Sequence, residues 1–335
     1  MAIKNEKKLV VSSTPLRISF VGGGTDFPKF YKKHGGSFIS STIDKETIVT
    51  VKRHGSIFEE NYRLNYSSSE ITHELKEIRN EIARECIKLT GTKPPIFVNT
   101  ISDLPEKSGL GSSSSFCVGL LNALFELNNE KINKEDLVKA AIEVEINILG
   151  KPIGIQDHYA ATYGGLNYFH VSTSGKVLVE PIKLNENKIN KMLFKNFLLF
   201  WTKIQRSSSD ILTEQNNNTE KNISDLLFIK NQCPIFWDLL NNNFEIQTVG
   251  KLIKEGWEKK INLSSKITNT KITSWYEKAI NNGALGGKLL GAGGGGFILI
   301  VSEYESRENI KHSLNELLEI EVNYNPKGSR ILLVQ

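Results

Sequence analysis

The pattern of apolar and polar positions divides the 335-residue chain into alternating strands and helices. Leu9–Ser13 reads as a first strand ended by Pro15, and Leu16–Val21 alternates as a second. Gly22–Asp26 predicts an irregular turn before a short helix over Phe27–Lys33. Ser37–Ser41 and the β-branched run Ile43–Arg53 read as two more strands. Ile71, Leu75, Ile78, Ile82, Cys86 and Leu89 recur at helical spacing, which predicts one amphipathic helix over Ser69–Leu89 closed by Gly91. Ile96–Ile101 has strand character, and Phe116, Val118, Leu120, Leu121, Leu124 and Leu127 share a helical face. Asn133 can cap a further helix with the stripe Leu137, Ala140, Ala141, Val144 and Ile148, stopped by Gly150 and Pro152. Gly154–His158 reads as a loop, and Leu166–His170 with Val177–Pro181 as a hairpin.

Phe197–Lys203 reads as a buried strand, after which the character changes. Ser207 to about Ser265 is helix-prone with Asn-rich gaps, and Trp275–Ile280 is helical. Gly286–Gly296 is rich in glycine and feeds the apolar strand Phe297–Val301. A helix over Asn309–Leu318 and strands over Ile320–Tyr324 and Arg330–Val334 complete the pattern. The order is α+β, and the change of character near Asn185–Lys195 predicts two domains, 1–190 and 191–335.

Charge alters this picture little. Lys plus Arg number 42 against 37 Asp plus Glu, a formal charge of +5 spread without a basic stripe or interleaved aromatics. Nucleic acid is therefore not an expected partner. Cys86, Cys117 and Cys233 lie far apart without metal-ligand or redox spacing, as expected of buried reduced thiols. No signal peptide and no membrane-spanning run is read, so a soluble cytoplasmic protein is expected. Whether the chain forms a homodimer is left open.

The candidate chemistry gathers in Leu104–Ser115, Leu-Pro-Glu-Lys-Ser-Gly-Leu-Gly-Ser-Ser-Ser-Ser, between a strand and a helix. A glycine turn at a helix N-terminus turns free backbone N–H groups and the positive end of the helix dipole toward an anion. One serine suffices to cap a helix, so four serines after Gly-Leu-Gly exceed what a cap needs. No lysine follows Gly111, so this is not a Walker A loop. Gly291–Gly296 satisfies Gly-x-Gly-x-x-Gly, but a strand follows it instead of a helix, against a dinucleotide fingerprint. There is no Gly-x-Ser-x-Gly elbow for a serine hydrolase. Three glycine-rich turns predict a cleft of amides around a polyanion, and Ser113, Glu145 and Asp157 could supply metal ligands and a base. These are the parts of a phosphoryl-transfer site. His158 is expected to pack or hydrogen-bond within its loop.

Three motifs carry a more specific resemblance: Pro15-Leu-Arg17-Ile-Ser-Phe-Val-Gly22-Gly-Gly-Thr-Asp26, Pro105-x-x-x-Gly109-Leu-Gly111-Ser-Ser-Ser-Ser115 and Lys288-Leu-Leu-Gly-Ala-Gly293-Gly-Gly-Gly296-Phe. In this order and spacing the chain resembles the galactokinase, homoserine kinase, mevalonate kinase and phosphomevalonate kinase (GHMP) family. The resemblance implies an α+β fold of two domains, an N-terminal mixed α/β domain and a C-terminal ferredoxin-like domain, with the active site between them. It implies ATP and Mg²⁺ as cofactors. The form of the motifs, with Gly154-Ile-Gln-Asp157-His-Tyr-Ala-Ala, is similar to sugar kinases that phosphorylate the anomeric hydroxyl of D-glycero-D-manno-heptose 7-phosphate on the route to surface polysaccharide.

By this resemblance Pro105, Ser108, Gly109, Leu110, Gly111, Ser112, Ser113, Ser114 and Ser115 would cradle the ATP phosphates, and Ser113 and Glu145 would hold Mg²⁺. Glu143 is the alternative acidic ligand. Asp157 would be the general base, with Arg17 beside it. Gly23, Gly24, Thr25, Asp26, Arg206, Gly293, Gly294 and Gly295 would meet the substrate. A kinase for another sugar, such as fucose, and a catalytically silent regulator that binds sugar and nucleotide remain as alternatives.

Overall fold

The computed structural model describes residues 7–55, 57–205 and 208–335. The chain begins with β1 (Leu9–Val21), α1 (Pro28–His34), β2 (Gly36–Arg53), β3 (Tyr62–Asn65), β4 (Ser69–Thr72), α2 (Glu81–Thr90), β5 (Ile96–Ser102), α3 (Ser112–Leu127) and α4 (Lys134–Ile142). It continues through α5 (Gln156–Tyr163), β6 (Leu166–Val171), β7 (Val177–Pro181), α6 (Glu186–Met192), β8 (Phe197–Trp201), α7 (Ser208–Asn217), α8 (Ile223–Asn241) and α9 (Ile246–Lys260). It closes with α10 (Thr270–Asn281), β9 (Ala284–Leu289), β10 (Phe297–Ser302), α11 (Arg307–Ser313), β11 (Leu318–Glu319) and β12 (Arg330–Val334).

Two sheets organise these elements. The larger runs β12-β1-β2-β5-β3-β4, with β6 and β7 added along the first half of β2. Its one parallel pair is β3 with β5. The second sheet runs β11-β8-β10-β9 and is antiparallel throughout. With helices between β8 and β9 and again between β10 and β11, that order is the ferredoxin-like arrangement. One apolar core joins the sheets: the Phe20 ring lies 5.4 Å from Phe197 and 5.5 Å from Phe236. A second core fills the space between α2, α3 and the large sheet.

Several sequence expectations are corrected. Pro15 does not end a strand; it sits at an irregularity between Pro15 and Arg17 inside the single strand β1. Bulges accommodate a residue that lacks an N–H donor. The two expected strands at Ser37–Ser41 and Ile43–Arg53 are likewise one strand, β2. The helix expected over Ser69–Leu89 starts only at Glu81. Buried Glu70, in β4, accepts from Tyr66 Oη and from the N–H groups of Arg79 and Asn80, which holds the chain extended there. Asn80 then caps α2 through Ala83 N at 3.0 Å, and Gly91 ends it in the left-handed conformation. Near the C-terminus the helix is Arg307–Ser313, and the strand expected over Ile320–Tyr324 is not formed: a short strand, β11, precedes that range, and within it only Tyr324 bridges, to Ile43.

α9 lies unusually close to β9. A Cβ on Gly286 would meet Gly250 O at 2.1 Å, and one on Gly250 would meet Leu285 Cβ at 2.4 Å. Only glycine permits this approach, which holds the first half of α9 against β9. Gly250→Ala is expected to lower the free energy of unfolding by about 1–3 kcal/mol through overpacking. Urea denaturation measures this, and wild-type stability would show that the helix can lift from the sheet.

Candidate active site

A cleft of about 410 Å³ separates the helices that follow β5 from the glycine turn between β9 and β10. At its floor lies Arg17. Its Nε and Nη2 reach Asp157 Oδ1 at 2.8 and 2.7 Å, and its Nη1 donates to Gly109 O at 2.8 Å. Arg17 is 3% exposed, so its charge depends on these partners instead of water. Asp157 is half-buried and faces the cleft.

Asp157 is not in a loop, as the sequence suggested, but in the first turn of α5. No side chain of that helix caps it. The cap comes from Asp26, whose Oδ2 accepts from Gln156 N at 3.0 Å and whose Oδ1 accepts from Gly24 N at 3.1 Å. Gly154 makes room: a Cβ there would lie 2.0 Å from Asp26 Oδ2. Burial pushes the Asp26 carboxyl up, and the charge of Asp157 adds to that, against the lowering bonds from Gln156 and Gly24.

A further wall of the cleft is built on α3. Gly111 is its N-cap residue, left-handed at φ 80°, and no side chain caps the helix despite the four serines. Its first N–H groups are thus directed at the cleft wall formed by Gly111, Ser112, Ser113 and Ser114. Ser113 Oγ donates to Glu145 Oε1 at 2.7 Å, and Lys151 Nζ reaches the same two atoms at 3.3 and 2.9 Å. Glu145 lies on a wide π turn, Glu143–Ile148, and is fully buried. Its second oxygen meets His158 Nε2 at 3.0 Å. Burial alone would raise the Glu145 carboxyl; His158 and then Lys151 outweigh it and hold it far below the usual carboxylate range. Glu143, the alternative, instead accepts from Asn147 Nδ2.

Among the described residues no three His, Cys, Asp or Glu side chains gather into a metal cluster. Ser113 Oγ and Glu145 Oε1 are adjacent hard oxygen donors. They suit Mg²⁺, which takes few protein ligands and completes its shell with phosphate and water. The two glycine turns pack on each other backbone to backbone: a Cβ on Gly109 would meet Leu290 O at 2.6 Å, and one on Gly291 would meet Gly109 Cα at 2.6 Å.

Of the residues selected from sequence, Arg17, Gly23, Gly24, Asp26, Gly109, Gly111, Ser112, Ser113, Ser114, Glu145, Asp157, Gly293 and Gly295 line this one cleft. Others are engaged elsewhere. Thr25 Oγ1 meets the carbonyls of Gly22 and Ser37, which fastens the first glycine turn. Ser115 Oγ donates to Pro15 O, Leu110 O accepts from Arg17 N, and Ser108 O accepts from Phe297 N. Pro105 is exposed. The third glycine stretch does not offer all its amides to an anion, because Gly294 N and Gly296 N donate to the carbonyls of Ile267 and Ile204. Arg206 lies outside the described residues. The cleft also contains Lys151 and Lys260, which pattern reasoning missed, and Lys288, which opens the third motif. Burial pushes the Lys260 ammonium down to about 8, with Arg17 adding to this and Asp26 and Asp157 opposing it. Lys288 is pushed well down by burial, then by Lys260 and Arg17. On sequence Lys151 and Lys260 are indistinguishable from surface charge.

A family model described as GHMP kinases N terminal domain matches residues 71–165, and one described as GHMP kinases C terminal matches residues 236–320. The chain belongs to the GHMP kinases. It is a phosphotransferase acting on an alcohol group of a small-molecule substrate, in a family that uses ATP. Among its relatives, D-glycero-alpha-D-manno-heptose 7-phosphate kinase of Campylobacter jejuni is 31% identical over 324 residues, which cover 92% of this chain and 94% of the relative. Galactokinase of Thermococcus kodakarensis is 24% identical, covering 91% and 92%. The crystal structure of a D-glycero-D-manno-heptose 1-phosphate kinase from Bacteroides thetaiotaomicron matches with a TM-score of 0.80 at 23% identity, covering 97% of this chain and 99% of that one. Among the described residues no helix is long and apolar enough to cross a membrane.

Glu145 holds two basic groups in a buried setting, so its loss should be felt without any ligand. Glu145→Ala is expected to lower the free energy of unfolding by about 1–3 kcal/mol, the usual effect of removing the acceptor of buried hydrogen bonds. Chemical denaturation of the ligand-free protein tests this. Undiminished stability would mean that water reaches His158 and Lys151.

Proposed function

We propose that this chain transfers the γ-phosphoryl group of ATP to the anomeric hydroxyl of D-glycero-D-manno-heptose 7-phosphate. The product would be the 1,7-bisphosphate, a precursor of nucleotide-activated heptose for surface polysaccharide. The observation that carries the reading is the Arg17–Asp157 pair, set between the uncapped N-terminus of α3 and the buried Asp26. The Campylobacter jejuni relative, alike over nearly the whole of both chains, supports the acceptor. In this reading residues 1–190 carry the nucleotide and metal groups, and residues 191–335 form a ferredoxin-like domain with a helical insertion, except that β12 returns to pair with β1 in the larger sheet.

Asp157 accepts the proton of the anomeric hydroxyl while the new bond forms between that oxygen and the γ-phosphorus; the bond to the bridging oxygen breaks and ADP leaves. Arg17 keeps Asp157 ionised and oriented. Asp26 and the amides of the first glycine turn hold sugar hydroxyls. The N–H groups at the start of α3 receive phosphate oxygens as charge moves from nucleophile to leaving group. Ser113 and Glu145 would hold Mg²⁺, which would neutralise phosphate charge. Lys151, whose ammonium bonds both donors in this structure, would have to leave them as the cation binds.

ADP release with ATP and Mg²⁺ across heptose 7-phosphate, mannose 6-phosphate, fucose, galactose and mevalonate tests the reading. Turnover is expected on the phosphorylated heptose, lost on removal of Mg²⁺ with a chelator. Asp157→Asn is expected to lower kcat by about 10²–10⁴-fold while ATP binding persists. Turnover confined to an unphosphorylated sugar would overturn the acceptor, and silence with ATP bound would favour a regulator.

A further inference from the structure

α7 lies along the cleft, with Leu212 and Gln215 on the face turned to it. Gln215 is 5% exposed, yet its side-chain amide has no hydrogen-bond partner among the described residues. Its surroundings are apolar. A Cβ on Gly24 would meet Gln215 Nε2 at 2.9 Å, Leu226 Cδ2 at 3.4 Å and Leu263 Cδ1 at 3.6 Å, and both leucines are buried. A primary amide carries two donors and a carbonyl acceptor. Holding them unpaired beside leucines costs free energy that a leucine or methionine at the same position would not. Packing therefore does not account for a glutamine here, and the cleft is where its amide can find a partner.

Contacts place Gln215 within the cleft. A Cβ on Gly111, at the serine turn, would lie 3.5 Å from Asp157 Cγ. Gln156, the residue before Asp157, donates its N–H to Asp26 Oδ2, and Asp26 Oδ1 accepts from Gly24 N. Gln215 follows at Gly24. The path from the serine turn thus runs through Asp157 and Asp26 before it reaches Gln215. A neutral amide next to a carboxylate is poorly suited to a phosphate, which Asp26 would repel. It suits a hydroxyl, which can donate to one group and accept from the other. We propose that Gln215 hydrogen-bonds a hydroxyl of the acceptor and is a specificity-determining residue, favouring acceptors that carry that hydroxyl. The inference rests on the proposed function in one respect, that the acceptor is a sugar.

Calorimetric titration of D-glycero-D-manno-heptose 7-phosphate and of its monodeoxy analogues tests it, on wild type and Gln215→Met. A non-hydrolysable ATP analogue is present throughout, and its own Kd controls for an intact cleft. Gln215→Met is expected to bind the parent sugar about three- to tenfold more weakly, as for loss of one neutral hydrogen bond. For one monodeoxy analogue that difference between wild type and Gln215→Met should disappear. The Kd of the ATP analogue should be unchanged, and stability to urea unchanged or raised, because an apolar chain replaces an unpaired amide. An undiminished affinity for the parent sugar, the same weakening for every analogue, or a loss of stability would overturn the role of Gln215 and leave the substrate standing. A wild type that does not bind the heptose phosphate would contradict the acceptor assigned above. The same comparison on the sugar that is turned over would then decide the role of Gln215.

Discussion

The Arg17 guanidinium lies almost wholly out of water, between the carboxylate of Asp157 and the carbonyl of Gly109. A charge so placed needs close partners, and removing one would leave it buried and uncompensated. The partners come from three parts of the chain: β1 carries Arg17, the turn before α3 carries Gly109, and α5 carries Asp157. The ion pair therefore closes the fold at this point and also orients the carboxylate that faces the cleft. Structure and chemistry depend on the same bonds.

The surrounding geometry serves that pair. Asp26 caps α5 from a distant turn, which fixes the helix that presents Asp157. Gly154 permits the contact because it has no side chain to occupy the space. On the opposite wall Gly291 lies against Gly109 backbone to backbone, so the glycine turn of the C-terminal half meets the serine turn at close range. The amides of that C-terminal turn are partly used for its own docking, through Ile204 and Ile267. The serine turn keeps its helix N-terminus uncapped. Its dipole and N–H groups are thus left open to the cleft instead of being spent on a side chain.

Much of this was legible in the sequence, for identifiable reasons. Gly109, Gly111 and the serines are a local signal, since strand, turn and helix follow one another directly. β1, β6, β7 and β10 were visible in apolar runs, though the joins at Pro15 and at Thr42 were not, because a bulge and a continuous ladder are settled by neighbouring strands. The segment Ser69–Leu89 misled because helical spacing persisted through a strand whose buried Glu70 is held by tertiary bonds. Asp157 was selected as a residue but placed in a loop, because the carboxylate that caps its helix lies far away in the chain. Lys260 carried no signal, and Lys288 only its place at the head of the third motif; the docking of α9 on β9 brings Lys260 to the acids.

The proposed transfer, to the anomeric oxygen of a sugar that already bears a phosphate, is read most plainly by phosphorus NMR of the product formed from ATP and D-glycero-D-manno-heptose 7-phosphate. One new phosphomonoester resonance coupled to the anomeric proton is expected, with the 7-phosphate resonance retained and one ADP formed per product. A new phosphate on any other carbon, or ADP formed with inorganic phosphate alone, would contradict it.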